Sequence, residues 1–310
     1  MLTRRKMILH LMTGMGATAL GVPAIVKAEN WRDKVATLNF GVVSSENEAD
    51  RIARYKTFVA YLERTMHAAI KMHQATDYAG TIEALKARKL EFARFGPAAY
   101  AQAWLVTGRK VEPIVVETDS DGFVGYHAVV VVKADSPFHS LDDLRGKSFA
   151  FADPNSTSGY IVPVFFLRED GINTDTLFGR TGFSGSHENS IIAVLNGTYD
   201  AAATWWTNEQ RSNVARMENK GLIPPGQLRY IWKSPKLPGS PLALRTDLPS
   251  ALKADIKAAL VALPTADPGA WKDLTDGKNQ GVQEIAHADY APVIRMIRAN
   301  QQSRRDVRSN

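Results

Sequence analysis

The sequence predicts an α/β fold. Short segments rich in β-branched residues alternate with longer segments that carry apolar residues every three to four positions, and the alternation runs along most of the chain. The length, 310 residues, is about two domains' worth. With 45% hydrophobic and 23% charged residues, the composition is that of a soluble globular protein able to bury a full core.

The elements follow in order. Residues 35–43 alternate and read as a strand, and Ala49 to Met66 carries Ile52, Tyr55, Phe58, Val59 and Leu62 at helical spacing. Strands are expected at 70–73 and 92–95, and helices at 79–89 and 98–105, which argues for a largely parallel sheet in this first unit. A dense valine strand at 128–133 opens a second unit. It continues with a short helical turn and glycine stop at 141–147, a strand at 149–152, helices at 160–169 and 188–196, and a strand at 201–205. The Pro- and Gly-rich stretch 233–241 reads as a crossover, and helical patterns at 250–263 and 290–299 close the chain.

The first 28 residues differ from the rest. Thr3-Arg4-Arg5-Lys6 is a basic start, Met7 to Val26 is apolar with small residues, and Val26-Lys27-Ala28 is a small-x-small exit, so cleavage is expected before Glu29. The paired Arg4-Arg5 after Thr3 points to the twin-arginine route, although Met7 stands where Phe is usual. Gly14, Gly16, Gly21 and Pro23 interrupt the stretch and argue against a membrane anchor. Removing the leader takes away four cations (Arg4, Arg5, Lys6, Lys27) and no anion, which lowers the net charge from +6 to +2. A mature chain this near neutrality gives no argument for nucleic-acid binding. The absence of cysteine excludes a disulfide framework and a thiolate metal site. The expected location is the periplasm, as a free monomer.

Four segments are candidates for chemistry. Asp153 to Gly159 reads Asp-Pro-Asn-Ser-Thr-Ser-Gly at a strand-to-helix junction, where free N–H groups, the positive end of the helix and three hydroxyls make an anion cradle. Taken alone it reads first as an ordinary N-cap, since Ser and Thr cap many helices that bind nothing. Pro163 requires the helix to start near Ser158 to Tyr160. Ser184-Gly185-Ser186-His187-Glu188 opens a further helix, where His187 can donate to an anion, above all when protonated. Phe95-Gly96-Pro97-Ala98-Ala99-Tyr100 is a turn opening a helix with a phenol one turn in. In Thr204-Trp205-Trp206-Thr207 the adjacent indoles point to opposite faces of a strand, and one of the two lines a cleft.

Several chemistries drop out. The phosphate-loop spacing is missing, Ile191 stands where the second histidine of a His-Glu-x-x-His zinc motif would be, and Gly182 to Ser186 misses the serine-hydrolase elbow by one residue. The seven histidines are scattered, so neither a metal nor a cofactor is expected.

Together these segments resemble the periplasmic phosphonate-binding proteins of ABC importers, within the wider phosphate/phosphite/phosphonate-binding group. The pieces that carry the resemblance are Asp153 to Tyr160, Gly185 to Glu188, Asn196-Gly197 with Tyr199 to Ala202, Phe95 to Tyr100, and Ser234 to Pro241, in family order over most of the chain. The resemblance implies a two-lobed, type II periplasmic binding fold, each lobe a central mixed sheet flanked by helices. Lobe 1 would comprise 29–127 with 231–310, and lobe 2 would comprise 128–230. It further implies no catalysis and delivery of a small phosphorus oxyanion to an inner-membrane ABC permease.

Carried over residue by residue, Ser156, Thr157, Ser158 and the Gly159 amide hold the oxyanion, Tyr100 donates from the opposite lobe, His187 completes the cradle, and Tyr55 is a further first-lobe contact. One departure stands out. Relatives that take aminoalkyl phosphonates present carboxylates to the ammonium, whereas this chain has Trp205-Trp206-Thr207 and Ser240 in those regions. The expected ligand therefore carries a small uncharged substituent, as in an alkyl phosphonate or phosphite. Rival readings are a phosphate importer, the ligand-binding module of a sensor, and an exported phosphoesterase.

Overall fold

Alternation fixes the first strand of the computed structural model, which describes residues 30–309 except 120, 121, 123 and 278. The leader, 1–28, lies outside the described residues. β1 (Thr37–Val42) sends Leu38, Phe40 and Val42 into one core. Its Gly41 lies under Leu90 on the other face, where a Cβ would stand 2.5 Å from that side chain.

Around β1 a six-stranded sheet forms in the order β12, β4, β11, β3, β1, β2. Its members are β2 (Ala69–His73), β3 (Phe92–Arg94), β4 (Val111–Asp119), β11 (Leu242–Arg245) and β12 (Asn279–Glu284). The second sheet runs β10 (Leu228–Lys233), β5 (His127–Lys133), β8 (Ala201–Asn208), β6 (Ser148–Phe151), β7 (Arg180–Phe183), with β9 (Arg211–Ser212) paired to β8. The first sheet is mixed, as the resemblance implied, and not largely parallel, as the alternation alone suggested. β1 pairs in parallel with β2 and β3, but β11 returns from the other sheet and enters antiparallel between β3 and β4.

Helices cover both faces of each sheet. α1 (Glu48–Met66), α8 (Ser250–Ala266) and α9 (Pro268–Thr275) close one face of the first sheet around Phe40, Phe58, Leu62, Ile256 and Trp271. α2 (Tyr78–Lys86) and α3 (Pro97–Val106) close the other around Ile82, Leu85, Tyr100 and Tyr290. On the second sheet α4 (Val162–Glu169) and α5 (Thr174–Leu177) lie over Phe149 and Phe178, while α6 (His187–Leu195) and α7 (Asn213–Asn219) lie over Val129, Val131 and Ala202. The last helix, α10 (Ala291–Ser309), packs against both α3 and α4, and its Asn300 Nδ2 donates to the Ile161 carbonyl at 2.9 Å. Among the described residues no helix is long and apolar enough to cross a membrane.

The strand connections that pass between the sheets pair with each other. Tyr126 and Leu237 exchange backbone hydrogen bonds of 3.2 and 2.8 Å, and Ser234 Oγ accepts from the Ala128 amide at 3.0 Å. This close approach requires a glycine, because Gly125 has φ +131° and any Cβ would collide with the Leu237 carbonyl oxygen. Gly125→Ala is expected to destabilise the fold by about 1–3 kcal/mol, read as a lowered urea midpoint. An unchanged midpoint would show that the crossover relaxes freely.

Candidate ligand-binding site

The hydroxyl-rich segment lies between the two sheets. β6 ends at Phe151, and the chain turns at Asp153, whose carboxylate accepts from the Asn155 amide at 2.7 Å. The helix then opens with a π-type turn, Thr157–Ile161, before α4 begins. The Ile161 amide reaches back five residues to the Ser156 carbonyl at 3.0 Å. This wide turn places Pro163 in the first turn of α4, where its missing N–H leaves no gap.

Ser156, Thr157 and Ser158 are all buried, and all three line a cleft of about 310 Å³ between the sheets. All three hydroxyls already have partners, Ser158 through the Tyr126 phenol. Ser156 Oγ caps the helix by accepting from the Gly159 amide at 3.1 Å, so that amide is committed to the cap rather than left free. Thr157 Oγ1 accepts from the Ala98 amide at 2.8 Å, which joins the start of α3 in one lobe to the cradle in the other. Gly159 itself is sterically required, since a Cβ would stand 2.5 Å from Ala152, 2.8 Å from Ser156 Oγ and 3.0 Å from the His187 ring.

His187 lies beside them at the first turn of α6, capped by Ser186. Its Nε2 is 3.0 Å from Ser156 Oγ and its Nδ1 is 3.2 Å from Thr204 Oγ1. Burial, together with the Arg216 cation, brings its pKa down to about 3. The imidazole is therefore neutral, so it can donate only through the one ring N–H it carries. With the proton on Nε2, the ring donates to Ser156 Oγ and accepts from the Thr204 hydroxyl. Ser156 Oγ then accepts two bonds, and its own O–H is directed at the Tyr78 phenol.

The structure places both predicted first-lobe tyrosines away from the cleft. Tyr100 is a turn inside α3, fully buried, with its hydroxyl 2.8 Å from His287 Nδ1 and its ring against Tyr290. The residues before it, at the helix mouth, face the cradle instead. Tyr55 packs in the core against Phe40 and Phe58, with a buried hydroxyl that has no partner. Its neighbour Arg54 lines the cleft. Strand alternation separates the two indoles. Trp205 lines the cleft with Thr207, while Trp206 lies over the opposite face of the sheet beneath Lys233.

Two phenols missed by sequence reasoning stand at the cradle, Tyr78 and Tyr126. Burial raises both, pushing Tyr126 up to about 12, while contacts with Thr157 and Ser158 draw Tyr126 back and a contact with Ser156 draws Tyr78 back. Both phenols thus stay protonated donors. The signal for Tyr78 was available, because Asp77 caps the helix immediately before it.

The cleft also holds charge that the sequence reading did not locate. Its lining includes Arg54, Arg94, Arg211, Arg216, Lys220, Glu117 and Asp276, so acids are not missing. Each charge there has a partner. Glu46 binds both Arg54 and Arg216, Arg216 also meets Glu188 at 3.0 Å, and Lys220 meets Asp50 at 3.4 Å. Arg94 and Arg211 hold Glu117 at 2.7 and 3.3 Å. Burial alone would raise Glu46 and Glu117, but the surrounding guanidiniums hold both below the ordinary carboxylate range. A charged residue inside an otherwise apolar strand, such as Arg94 in Phe-Ala-Arg-Phe, was the available sign.

Two sheets joined by crossing connections, with a polar cleft between them fed by helix N-termini, define a two-lobed type II binding protein. The chain belongs to the ABC transporter phosphonate periplasmic substrate-binding protein family, whose model matches residues 40–290. It is 30% identical over 272 residues to the phosphate-import protein PhnD of Mycolicibacterium smegmatis, covering 82% of this chain and 83% of that one. It is 31% identical over 220 residues to the phosphonates-binding periplasmic protein of Escherichia coli, covering 70% and 63%. Among solved structures it resembles a binding-protein component of an ABC phosphonate transporter from Pseudomonas aeruginosa, with TM-score 0.78, 27% identity and 89% of each chain covered. The fold is also that of Prochlorococcus marinus PhnD1 in complex with methylphosphonate, with TM-score 0.73, 22% identity, and 86% and 98% covered.

The neutral, buried His187 gives a pH dependence with a definite sign. The ordinary pKa is 6.5 and the folded one about 3. Between them the unfolded chain takes up a proton that the folded chain does not. The stability from keeping His187 neutral is therefore complete above pH 6.5 and falls by about 1.4 kcal/mol per pH unit as pH drops towards 3. Urea unfolding at pH 7 and pH 5 is expected to show a smaller acid loss for His187→Gln than for the wild type. Equal losses would place the imidazole in solvent.

Proposed function

We propose that this chain is the substrate-binding component of an ABC importer for small phosphonates, in which the phosphorus oxyanion rests on Ser156, Thr157 and Ser158. The observation that carries the reading is the hydroxyl-bearing helix mouth opening into the cleft between the lobes, faced there by the phenols of Tyr78 and Tyr126. Hydroxyl and amide donors to an anion contribute roughly 1.5–3 kcal/mol each. A few of them suffice without a lysine or arginine at the phosphorus. Tyr78 and Tyr126 take the donor role that the sequence had assigned to Tyr100 and Tyr55.

The remaining parts follow from the same reading. The leader 1–28 is a cleaved signal with a twin-arginine start, the mature protein is a periplasmic monomer, and a membrane permease receives the ligand. Lobe 1 (29–127 with 231–310) and lobe 2 (128–230) close on the ligand about the crossover strands. No catalysis is involved. The substituent on phosphorus is small and uncharged, with Trp205 as its wall. An indole in that position leaves the fourth oxygen of phosphate without donors, which disfavours phosphate by the cost of stripping water from a charged acceptor. The Mycolicibacterium relative is named for phosphate import, and phosphate is therefore the alternative to exclude.

Titration calorimetry with methylphosphonate, phosphite, 2-aminoethylphosphonate and phosphate tests the reading. Methylphosphonate or phosphite is expected to bind tightest, and tightest binding of the aminoethyl compound or of phosphate would overturn it. Ser158→Ala is expected to weaken the preferred ligand by about 10- to 100-fold. An unchanged affinity would remove the helix mouth from the site.

A further inference from the structure

Glu117 is the carboxylate in the cleft best placed to meet a ligand ammonium. It sits on β4 in the first sheet with its side chain 9% exposed, and it lines the cleft. The other acid of the lining, Asp276, is 34% exposed and lies 4.0 Å from Arg216 Nε. Both oxygens of Glu117 are taken. Arg94, on the neighbouring part of the same sheet, reaches Oε1 with Nη2 at 2.7 Å and Nε at 3.1 Å, a fork closed on one oxygen. Arg211, on β9 of the second sheet, reaches Oε2 with Nη2 at 3.3 Å and extends Nη1 to within 3.7 Å of Asp119. The second pair therefore crosses from one lobe to the other.

We propose that Arg94 and Arg211 are specificity-determining residues, which deny Glu117 to the ammonium group of an aminoalkyl phosphonate by holding it between them. The inference rests on the functional reading above, with phosphorus at the Ser156–Ser158 helix mouth. An ammonium entering this part of the cleft meets two guanidiniums, not a bare carboxylate. To reach Glu117 it must displace one of them. Displacing Arg94 leaves a half-buried guanidinium without its carboxylate, so its partial desolvation is no longer compensated. Displacing Arg211 breaks a contact that joins the lobes, so the ligand weakens the closed arrangement that holds it. An uncharged substituent incurs neither cost. Selectivity thus comes from occupied acids, a repulsive element built of the protein's own cations, rather than from a lack of acids.

The test is calorimetry on wild type, Arg211→Gln, Arg94→Gln and Arg211→Lys, reading the ratio of the dissociation constants for 2-aminoethylphosphonate and methylphosphonate. Arg211→Gln and Arg94→Gln are expected to shift that ratio towards the amino compound by about tenfold or more. Arg211→Lys, which keeps the charge, is expected to hold the wild-type ratio. Adding Glu117→Gln to Arg211→Gln is expected to abolish the shift. Arg94 and Arg211 are equally half-buried, at 19% and 20%, and either variant alone carries the test if the other does not fold. A ratio that stays within about twofold of wild type in Arg211→Gln overturns the inference while leaving the functional reading intact. A wild type that binds neither phosphonate overturns the functional reading and this inference with it.

Discussion

Glu46 lies wholly buried in the loop after β1, held at once by Arg54 from its own lobe and by Arg216 from the other. A carboxylate without water is costly, and two guanidiniums are needed to offset that cost. The requirement propagates. Arg216 also binds Glu188, and Glu188 accepts from the Asn47 amide and side chain at 2.8 and 2.9 Å at the start of α1. Removing any one member leaves the others buried and unbalanced. The two lobes are thus tied by ion pairing at the mouth of the cleft, and also by an apolar cluster in which Ala98 and Ala101 of α3 and Val293 and Ile297 of α10 meet Phe149 and Leu167 of the second lobe.

That constraint brings the cradle to its partners. With the loop at Ser45 and Glu46 docked on α6, the His187 amide donates to the Ser45 carbonyl at 3.3 Å, and the Tyr78 amide comes within 3.4 Å of the Asp153 carboxylate. Thr157 caps the start of α3 from across the gap. The helix mouth is therefore assembled from both lobes. Its hydroxyls are held in place by cap bonds and by a neutral imidazole, so an oxyanion bound there as proposed would meet oriented donors with little ordering left to do.

Much of this was legible from the chain. The Ser-Thr-Ser-Gly run between a strand and a helix located the hydroxyl-bearing helix mouth, and Ser186-His187 at a helix start located its neighbour, because caps and helix mouths are local features encoded by adjacent residues. The steric demand at Gly159 was not legible, since it arises from Ala152 and His187 packing against it. Tyr100 and Tyr55 were misplaced for the same kind of reason. Each sits on a helix that borders the cleft, but the rotation of about 100° per residue turns Tyr55 into the core beside the cleft-lining Arg54, and Tyr100 lies one turn too deep in α3, whose mouth alone reaches the cleft. The mixed character of the sheets came from the resemblance and not from the alternation, because the direction in which β11 re-enters depends on a crossover of eight residues and not on the strand's own composition.

The sequence by itself determined the alternating α/β elements, the helix mouth with its three hydroxyls, and the separation of Trp205 from Trp206 onto opposite faces. All of these rest on neighbours within a few positions. Only the tertiary structure decided which indole enters the cleft, that His187 is neutral, and that the acids of the cleft are already held by arginines. Those properties depend on burial and on pairs such as Arg216–Glu46 and Arg211–Glu117, whose partners lie far apart along the chain and meet only when the two sheets face each other.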